Sequence, residues 1–240
     1  MKRGDYVPDD RELLDTHARA LFAHDERSRL LTVNEPGGAG APAARMFFGR
    51  ARTCNLWRFR ADLPEALVAE LEALCADEPV GAELDGAPRH AEEYARLLEG
   101  HAPVREMEAG PAYYFAEYAE PSGRLLTVKE SDAELLRGGF EDFVDELPAW
   151  RPFVALFEGG RAASVCRSVR ITGAAHEAGV ETLPEFRGRG YAKEVTALWA
   201  RLVRSAGALP MYSTSWENAA SRAVAGKLRL TLYAADFHIT

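Results

Sequence analysis

Cysteine is scarce in this sequence, and the three present (Cys54, Cys75 and Cys166) form no C-x-x-C pair. That spacing excludes a disulfide framework and a zinc ribbon, and leaves buried free thiols as the expectation. Lysine is scarcer still for its class: four of the 29 basic residues (Lys2, Lys129, Lys193, Lys227). Individual surface arginines therefore reflect a compositional preference rather than a site. Basic charge is in deficit overall, with a formal net charge of −8. A nucleic-acid binder needs a basic face to displace counterions, so that class is not expected. The negative balance mildly suits a cationic substrate, although net charge by itself speaks to solubility. No apolar run approaches the roughly 18–20 residues that span a bilayer. The opening "MKRGDYVPDDRELL" has three basic-end residues and no apolar segment behind them. It reads as no secretory signal, and the expectation is a cytoplasmic protein with no membrane partner.

With 47% apolar and 28% charged residues, 240 residues can bury a real core. Residues 10–23 carry a helical apolar stripe, and 29–33 reads as a strand. Residues 34–44 form a Gly/Pro loop, and 45–50 and 54–60 read as two strands. The aromatics on these two strands, Phe47, Phe48, Trp57 and Phe59, alternate as core residues would. A helix is expected over 61–79, with Asp62 as its cap. The Gly-, Pro- and Ala-rich stretch 80–110, with one short helix near 91–100, is the candidate domain boundary.

Strands are then expected at 111–118 and 124–130, and short helices over 131–148 capped by Ser131. A hairpin turning on Glu158-Gly159-Gly160 follows. Beyond it lie a strand over 177–184, a helix over 189–206, a strand at 210–215, a helix over 217–228 and a last strand or pair of strands at 230–239. This order is α/β or α+β, a mixed, mostly antiparallel sheet flanked by helices. Two domains are expected, an N-terminal α+β region over 1–118 and a second domain over 119–240. "FAHDERSRLLTV" (22–33) echoes "FAEYAEPSGRLLTV" (115–128). The echo raises a degenerate internal repeat, against coincidence between two ordinary strands.

The stretch "PEFRGRGYAKEV" (184–195) places two glycines and two arginines between a strand and a helix. Backbone N–H groups at such a turn lack intrahelical partners, and with the helix dipole they make an anion site. Gly188 and Gly190 remove β-carbons from the approach, and Arg187 and Arg189 add charge at the rim. The sequence holds neither G-x-x-x-x-G-K-[ST] nor G-x-G-x-x-G, so a P-loop and a Rossmann site are not expected.

What the turn does resemble is the R/Q-x-x-G-x-G/A signature of the GNAT superfamily of N-acetyltransferases, read here as Arg187, Gly190 and Ala192. The context is similar too: a strand ending in Pro, the turn, a long helix, a short strand, then Asn218 near the start of another helix. The resemblance spans roughly residues 119–240.

It implies acetyl-CoA as cosubstrate and an amine acceptor that attacks the thioester directly, with no metal. The acceptor would be a small molecule or peptide, and the protein a monomer or homodimer. The turn residues Arg187, Gly188, Arg189, Gly190, Tyr191 and Ala192 would cradle the pyrophosphate. Val180, Thr182 and Leu183 would meet the pantetheine arm, with Asn218 and Ser221 across from them. That arrangement needs two strands that splay, between "GVETLP" and "MYSTS". Glu181 is the expected general base, with Glu177 and His176 as rivals.

Two departures from the family pattern stand out. Ala225 replaces the tyrosine that would protonate the thiolate, and Arg229 replaces a glycine at the helix end. Tyr233 is the substitute acid. A non-catalytic acyl-CoA-binding protein is the alternative those departures open.

Overall fold

The computed structural model describes residues 8–38, 40–81 and 83–240. Half of the stretch read for a secretory signal, residues 1–7, lies outside the described residues. Among the described residues eleven strands and five α-helices are formed: α1 (Asp10–Leu21), β1 (Phe22–His24), β2 (Leu30–Val33), β3 (Met46–Ala51), β4 (Asn55–Phe59), α2 (Glu65–Asp77), α3 (Ala91–His101), β5 (Met107–Tyr114), β6 (Leu125–Thr127), β7 (Phe153–Glu158), β8 (Arg161–Ile171), β9 (Ala175–Thr182), α4 (Tyr191–Ser205), β10 (Leu209–Ser213), α5 (Ala219–Lys227) and β11 (Thr231–Ile239). Nine of the strands make one sheet in the order β4-β3-β11-β5-β10-β9-β8-β7-β6. Every described pairing in it is antiparallel except β9 with β10. The expected mixed, mostly antiparallel α/β architecture is the one formed.

Side-chain alternation assigns the layers. Phe237 on β11 packs with α2 and α3, while Tyr113, four residues along from its partner Ala109, packs in the cluster of α4 and α5. Those four helices therefore share one face. The other face carries α1, which buries Leu13, Leu14 and Ala18 against Phe47, Ala112, Ala175 and Met211. The segment 128–150, two short 3₁₀ turns around Leu136 and Phe143, covers the far end of that face. β3 is covered on both sides, which is why all six of its residues are buried. Phe47, Phe48 and Phe59 are core as expected, and Trp57 is half-buried.

The expected division at residue 118 follows chain order but not the sheet. β5, from before it, sits between β10 and β11, and β11 in turn pairs with β3. Three strands of the nine come from residues 1–118 and six from 119–240, in one continuous ladder. The stretch 80–110 reads as a boundary because it is rich in Gly, Pro and Ala. Gly110 is instead a contact: a β-carbon there would lie 1.7 Å from the Thr214 carbonyl oxygen. The echoing segments 22–33 and 115–128 end in strands that sit in different sheets. β2 pairs with β1 in a separate two-stranded sheet, and β6 is an edge strand of the main one.

Two expected caps are also displaced. Asp62 pairs with Arg60 at 2.7 Å, and α2 begins after Pro64 without a side-chain cap. Ser131 lies inside a 3₁₀ turn, where the Asp132 carboxylate accepts from the Lys129 amide. α1 carries the cap the periodicity did not reveal, an Asp9–Glu12 capping box.

Candidate active site

The single parallel pair creates the site. β9 and β10 are in register at Leu209↔Ala175, Pro210↔His176 and Met211↔Glu177, and there the pairing ends. Beyond it the two strands form opposite walls of a cleft of about 750 Å³, closed by the turn 186–190 and the first turns of α4 and α5. β9 keeps its other edge on β8, where the Leu183 amide donates to Ala163 O at 3.0 Å. Amides two residues apart along a strand point the same way. So Leu183 and Glu181 are turned to β8, and the Val180 and Thr182 amides are turned to the open side.

The turn itself has the expected geometry. Gly188 and Gly190 have φ of +80° and +84°, the left-handed region where glycine is the unstrained residue. A β-carbon added at either would meet nothing within 4 Å. Both glycines line the cleft, and Gly190 caps α4. The Tyr191 and Ala192 amides are the first of the helix and have no intrahelical acceptor. Arg187 is exposed on the cleft rim and its Nε donates to Thr182 O at 3.2 Å.

Across the fork, the Asn218 Oδ1 accepts from the Ser221 amide at 2.9 Å, capping α5. Its amide group is left to the cleft it lines. Ser221 Oγ lies 2.7 Å from the hydroxyl of Tyr212. Tyr212 was not anticipated. Its alternation with Met211 on β10 turns it to the α5 face, and burial pushes its hydroxyl up to about 12.

Several expected residues are placed elsewhere. Leu183 packs against the 128–150 segment, and its amide is already engaged. Arg189 is drawn away from the cleft by Glu158, at 2.7 Å, and lies over the Phe186 ring. The Tyr191 hydroxyl is bonded to the same Glu158 carboxylate, although Tyr191 still lines the cleft. Tyr233 is the largest correction. A bulge between Leu232 and Ala234 puts it on the α1 face, 4% exposed, with its hydroxyl 2.6 Å from His17 Nδ1. It does not reach the cleft.

Glu181 lines the cleft and is half exposed, and its carboxylate accepts from Arg167 Nη2 at 2.9 Å. Arg167 is itself buried, its guanidinium carbon 3.8 Å from the Phe143 ring centroid and 4.6 Å from that of Trp150. Those two rings stand on the 128–150 segment, so no local pattern could show the contact.

Glu177 sits at the crotch of the fork, 3% exposed. Its Oε2 accepts from Ser213 Oγ at 3.4 Å, and its Oε1 lies 3.3 Å from His17 Nε2. Desolvation, with Asp236 adding to it, raises this carboxyl to about 8. Burial likewise raises Asp236 to about 7 and depresses His17 to about 3. His176, the other rival base, turns to the α4 face, bonded to Ser168 Oγ at 2.9 Å.

Among the described residues no cluster of three or more His, Cys, Asp or Glu is placed to hold a metal ion. No described helix is long and apolar enough to cross a membrane. All three cysteines are free, Cys75 and Cys166 buried and Cys54 half-buried.

Residues 166–237 match the family model described as FR47-like protein, which is GNAT-related. The match runs from within β8 to within β11, the segment that builds the fork. No curated protein matches the chain. Among solved structures, a GCN5-related N-acetyltransferase-like protein from Streptococcus suis aligns over 83% of this chain and 85% of its own, at 15% identity and a TM-score of 0.46. A Drosophila protein aligns over 80% and 72%, at 12% identity and a TM-score of 0.49. A putative GNAT-family acetyltransferase from Novosphingobium aromaticivorans aligns at 16% identity and a TM-score of 0.45, and this chain, with 57% of its length, spans 65% of that one. Residues 166–237 are thus similar to the FR47-like family model, and the strands they form are joined in one sheet to strands contributed by the N-terminal part of the chain.

Proposed function

We propose that this chain is an acetyl-CoA-dependent N-acetyltransferase that delivers the acetyl group to a primary amine. The observation that carries the reading is the conjunction at the fork. A single parallel pair stops at Glu177↔Met211, and a left-handed Gly188/Gly190 turn with two unbonded helix amides closes the opening.

The residues present suit the cosubstrate. Glycines at 188 and 190 leave the turn open to a pyrophosphate, and the dipole of the fifteen-residue α4 favours an anion there. The open amides of Val180 and Thr182 supply on one wall the strand contacts that β10 no longer makes, and Asn218 stands on the other. Acetyl-CoA brings a reactive thioester. The protein must then hold it, take the proton of the attacking ammonium and steady the developing negative charge.

Glu181, on the cleft wall, is the proposed base, and Glu177 behind Ser213 is its rival. The hydroxyls of Tyr212 and Ser221 face the cleft where Tyr233 does not, and are the proposed source of a proton for the leaving thiolate. Replacing Glu181 by Gln should lower kcat at least tenfold in a thiol-release assay with little change in acetyl-CoA affinity. Unimpaired turnover would move the role to Glu177.

The alternative is an acyl-CoA-binding protein without turnover. It is favoured by Ala225, 1% exposed and without a hydroxyl, together with the distance of Tyr233 from the cleft. Acetyl-CoA binding without thiol release across an amine panel would select it.

A further inference from the structure

The α1 face of the sheet holds a second, smaller cavity, of about 190 Å³. Its walls are Glu108 and Gly110 of β5, the segment 213–215, and Asp236 and His238 of β11. The bulge in β11 decides which side chains reach it. Tyr233 precedes the bulge, Asp236 and His238 follow it, and all three face α1. Both cross-strand neighbours of Asp236 are glycines, Gly49 on β3 and Gly110 on β5. Neither adjacent strand therefore covers its carboxylate with a side chain. Leu14 of α1 fills the place over Gly49, where a β-carbon would lie 2.5 Å from its Cδ2. The place beside Gly110 is the cavity.

The groups around this space accept hydrogen bonds and supply no cation. Asp236 is 8% exposed, and among the described residues no other residue donates a hydrogen bond to its carboxylate. It faces His17 Nε2 at 3.6 Å and His238 Nε2 at 3.7 Å, two buried nitrogens that themselves lack a hydrogen-bond partner. Burial depresses these histidines to about 3 and about 4, so both are neutral near pH 7 and do not balance the acid. The Thr214 amide donates to Pro111 O at 3.3 Å, but proline has no N–H to return. The Thr214 carbonyl is left beside Gly110. Glu108, exposed, adds a second carboxylate on the solvent side. Among the described residues no lysine or arginine lines the cavity. A buried acid without a countercharge is a cost unless a cation or a proton answers it.

We infer that this cavity is a binding site for one primary ammonium group, held by Asp236 at the inner end, by the Thr214 carbonyl, and by Glu108 at the mouth. A primary ammonium has three N–H donors to give these acceptors. Among the described residues no metal-type cluster competes for the role. The inference concerns this cavity alone. It does not need the transferase reading of the cleft, with which the cavity shares Ser213 and Thr214 as walls.

The test is calorimetric titration of the full chain with n-propylamine at pH 8, without acetyl-CoA. n-Propanol removes the charge, and N,N,N-trimethylpropylammonium keeps the charge without an N–H. Propylamine should bind at least tenfold tighter than either, as charge-assisted hydrogen bonds to a buried carboxylate require. The ring signals of His238 in NMR should shift with the same saturation. Affinity should rise from pH 6 to pH 8, because the ammonium pairs with ionised Asp236, whose folded value burial raises to about 7. The raised Glu108 and Glu177 titrate in the same sense, and His17 and His238 stay neutral across that range. Asp236→Asn should weaken propylamine at least tenfold. Glu108→Gln changes an exposed side chain, should weaken it about threefold, and decides the matter if Asp236→Asn does not fold. Nα-acetyllysine methylamide carries the same ammonium on a peptide. Its binding in place of propylamine would keep the site and assign it to a lysyl side chain. No binding of either amine, equal binding of propanol or the quaternary ion, or an affinity unaltered in both variants would overturn the inference. Failure to bind acetyl-CoA would count against the transferase reading alone.

Discussion

His17 Nε2 and Glu177 Oε1 lie 3.3 Å apart in the middle of the α1 face, and neither atom holds a hydrogen bond. The Tyr233 hydroxyl occupies the other nitrogen of the ring. α1 thus contributes a buried histidine to the crotch of a fork built by the distant strands β9 and β10.

That relationship sets a pH dependence. Glu177 and Asp236 have raised folded-state values, to about 8 and about 7, with desolvation the main cause. Below about pH 4 both are protonated folded and unfolded, and contribute nothing. Between the unfolded values (4.5 and 3.8) and the folded ones the unfolded chain has released protons that the native state keeps, so stability falls as pH rises, and the loss is complete once pH has passed through the folded values. The depressed histidines His17 and His238 act oppositely, but only below their unfolded value of 6.5. Between pH 6.5 and 8.5 the carboxyls are therefore the main contributors. Thermal stability should fall across that window, and Glu177→Gln, keeping His17, Ser213, Tyr233, Asp236 and Arg170 around it, should flatten the fall. A slope unchanged in the variant would remove Glu177 as its source.

Arg229 stands at φ +53°, in the position that ends α5. The Leu230 amide reaches back to Ala225 O at 3.0 Å and the Arg229 amide to Gly226 O at 3.1 Å, the bonds of a glycine-type helix end made without a glycine. A non-glycine residue there is strained by about 1 kcal/mol. Arg229→Gly should stabilise the protein by about 0.5–1 kcal/mol, visible as a rise of about 1–3 °C in Tm. A fall in Tm would show that the arginine contributes contacts that outweigh its backbone cost.

Asn218 has two duties that can be separated. Asn218→Ala removes the cap of α5 and should cost about 1 kcal/mol of stability. Asn218→Asp keeps the capping oxygen and loses the amide donor on the cleft wall. It should retain the Tm and weaken acetyl-CoA binding by about tenfold. Equal acetyl-CoA affinity in the Asp variant would leave Asn218 a structural cap alone.

Local pattern was sufficient for most elements. The core strands 46–51 and 55–59, the hairpin turning on Gly159-Gly160, α4, α5 and the phosphate-type turn are periodic or punctuated by glycine, and each is where its pattern placed it. What escaped was set by distant pairing. The strand is legible only from Pro111, because Met107–Gly110 falls at the end of a Gly-, Pro- and Ala-rich stretch, and what makes it strand is pairing with the distant β11. Tyr233 was assigned to the cleft as a hydroxyl on the strand after α5, but one bulged residue turned it to the opposite face. His17 and Asp236 lie far apart in sequence, and their meeting across from Glu177 depends on where α1 docks.

The most direct test of the central claim is calorimetric titration of the full chain with acetyl-CoA, beside the variant Gly190→Glu. That substitution puts a carboxylate into the anion-facing turn at a left-handed position. The account predicts micromolar binding to the unmodified protein and none detectable in the variant, with both proteins folded by circular dichroism. Absent binding in the unmodified protein, or equal binding in both, would contradict it, and the turn at 186–190 would then be only the end of a strand and the start of a helix.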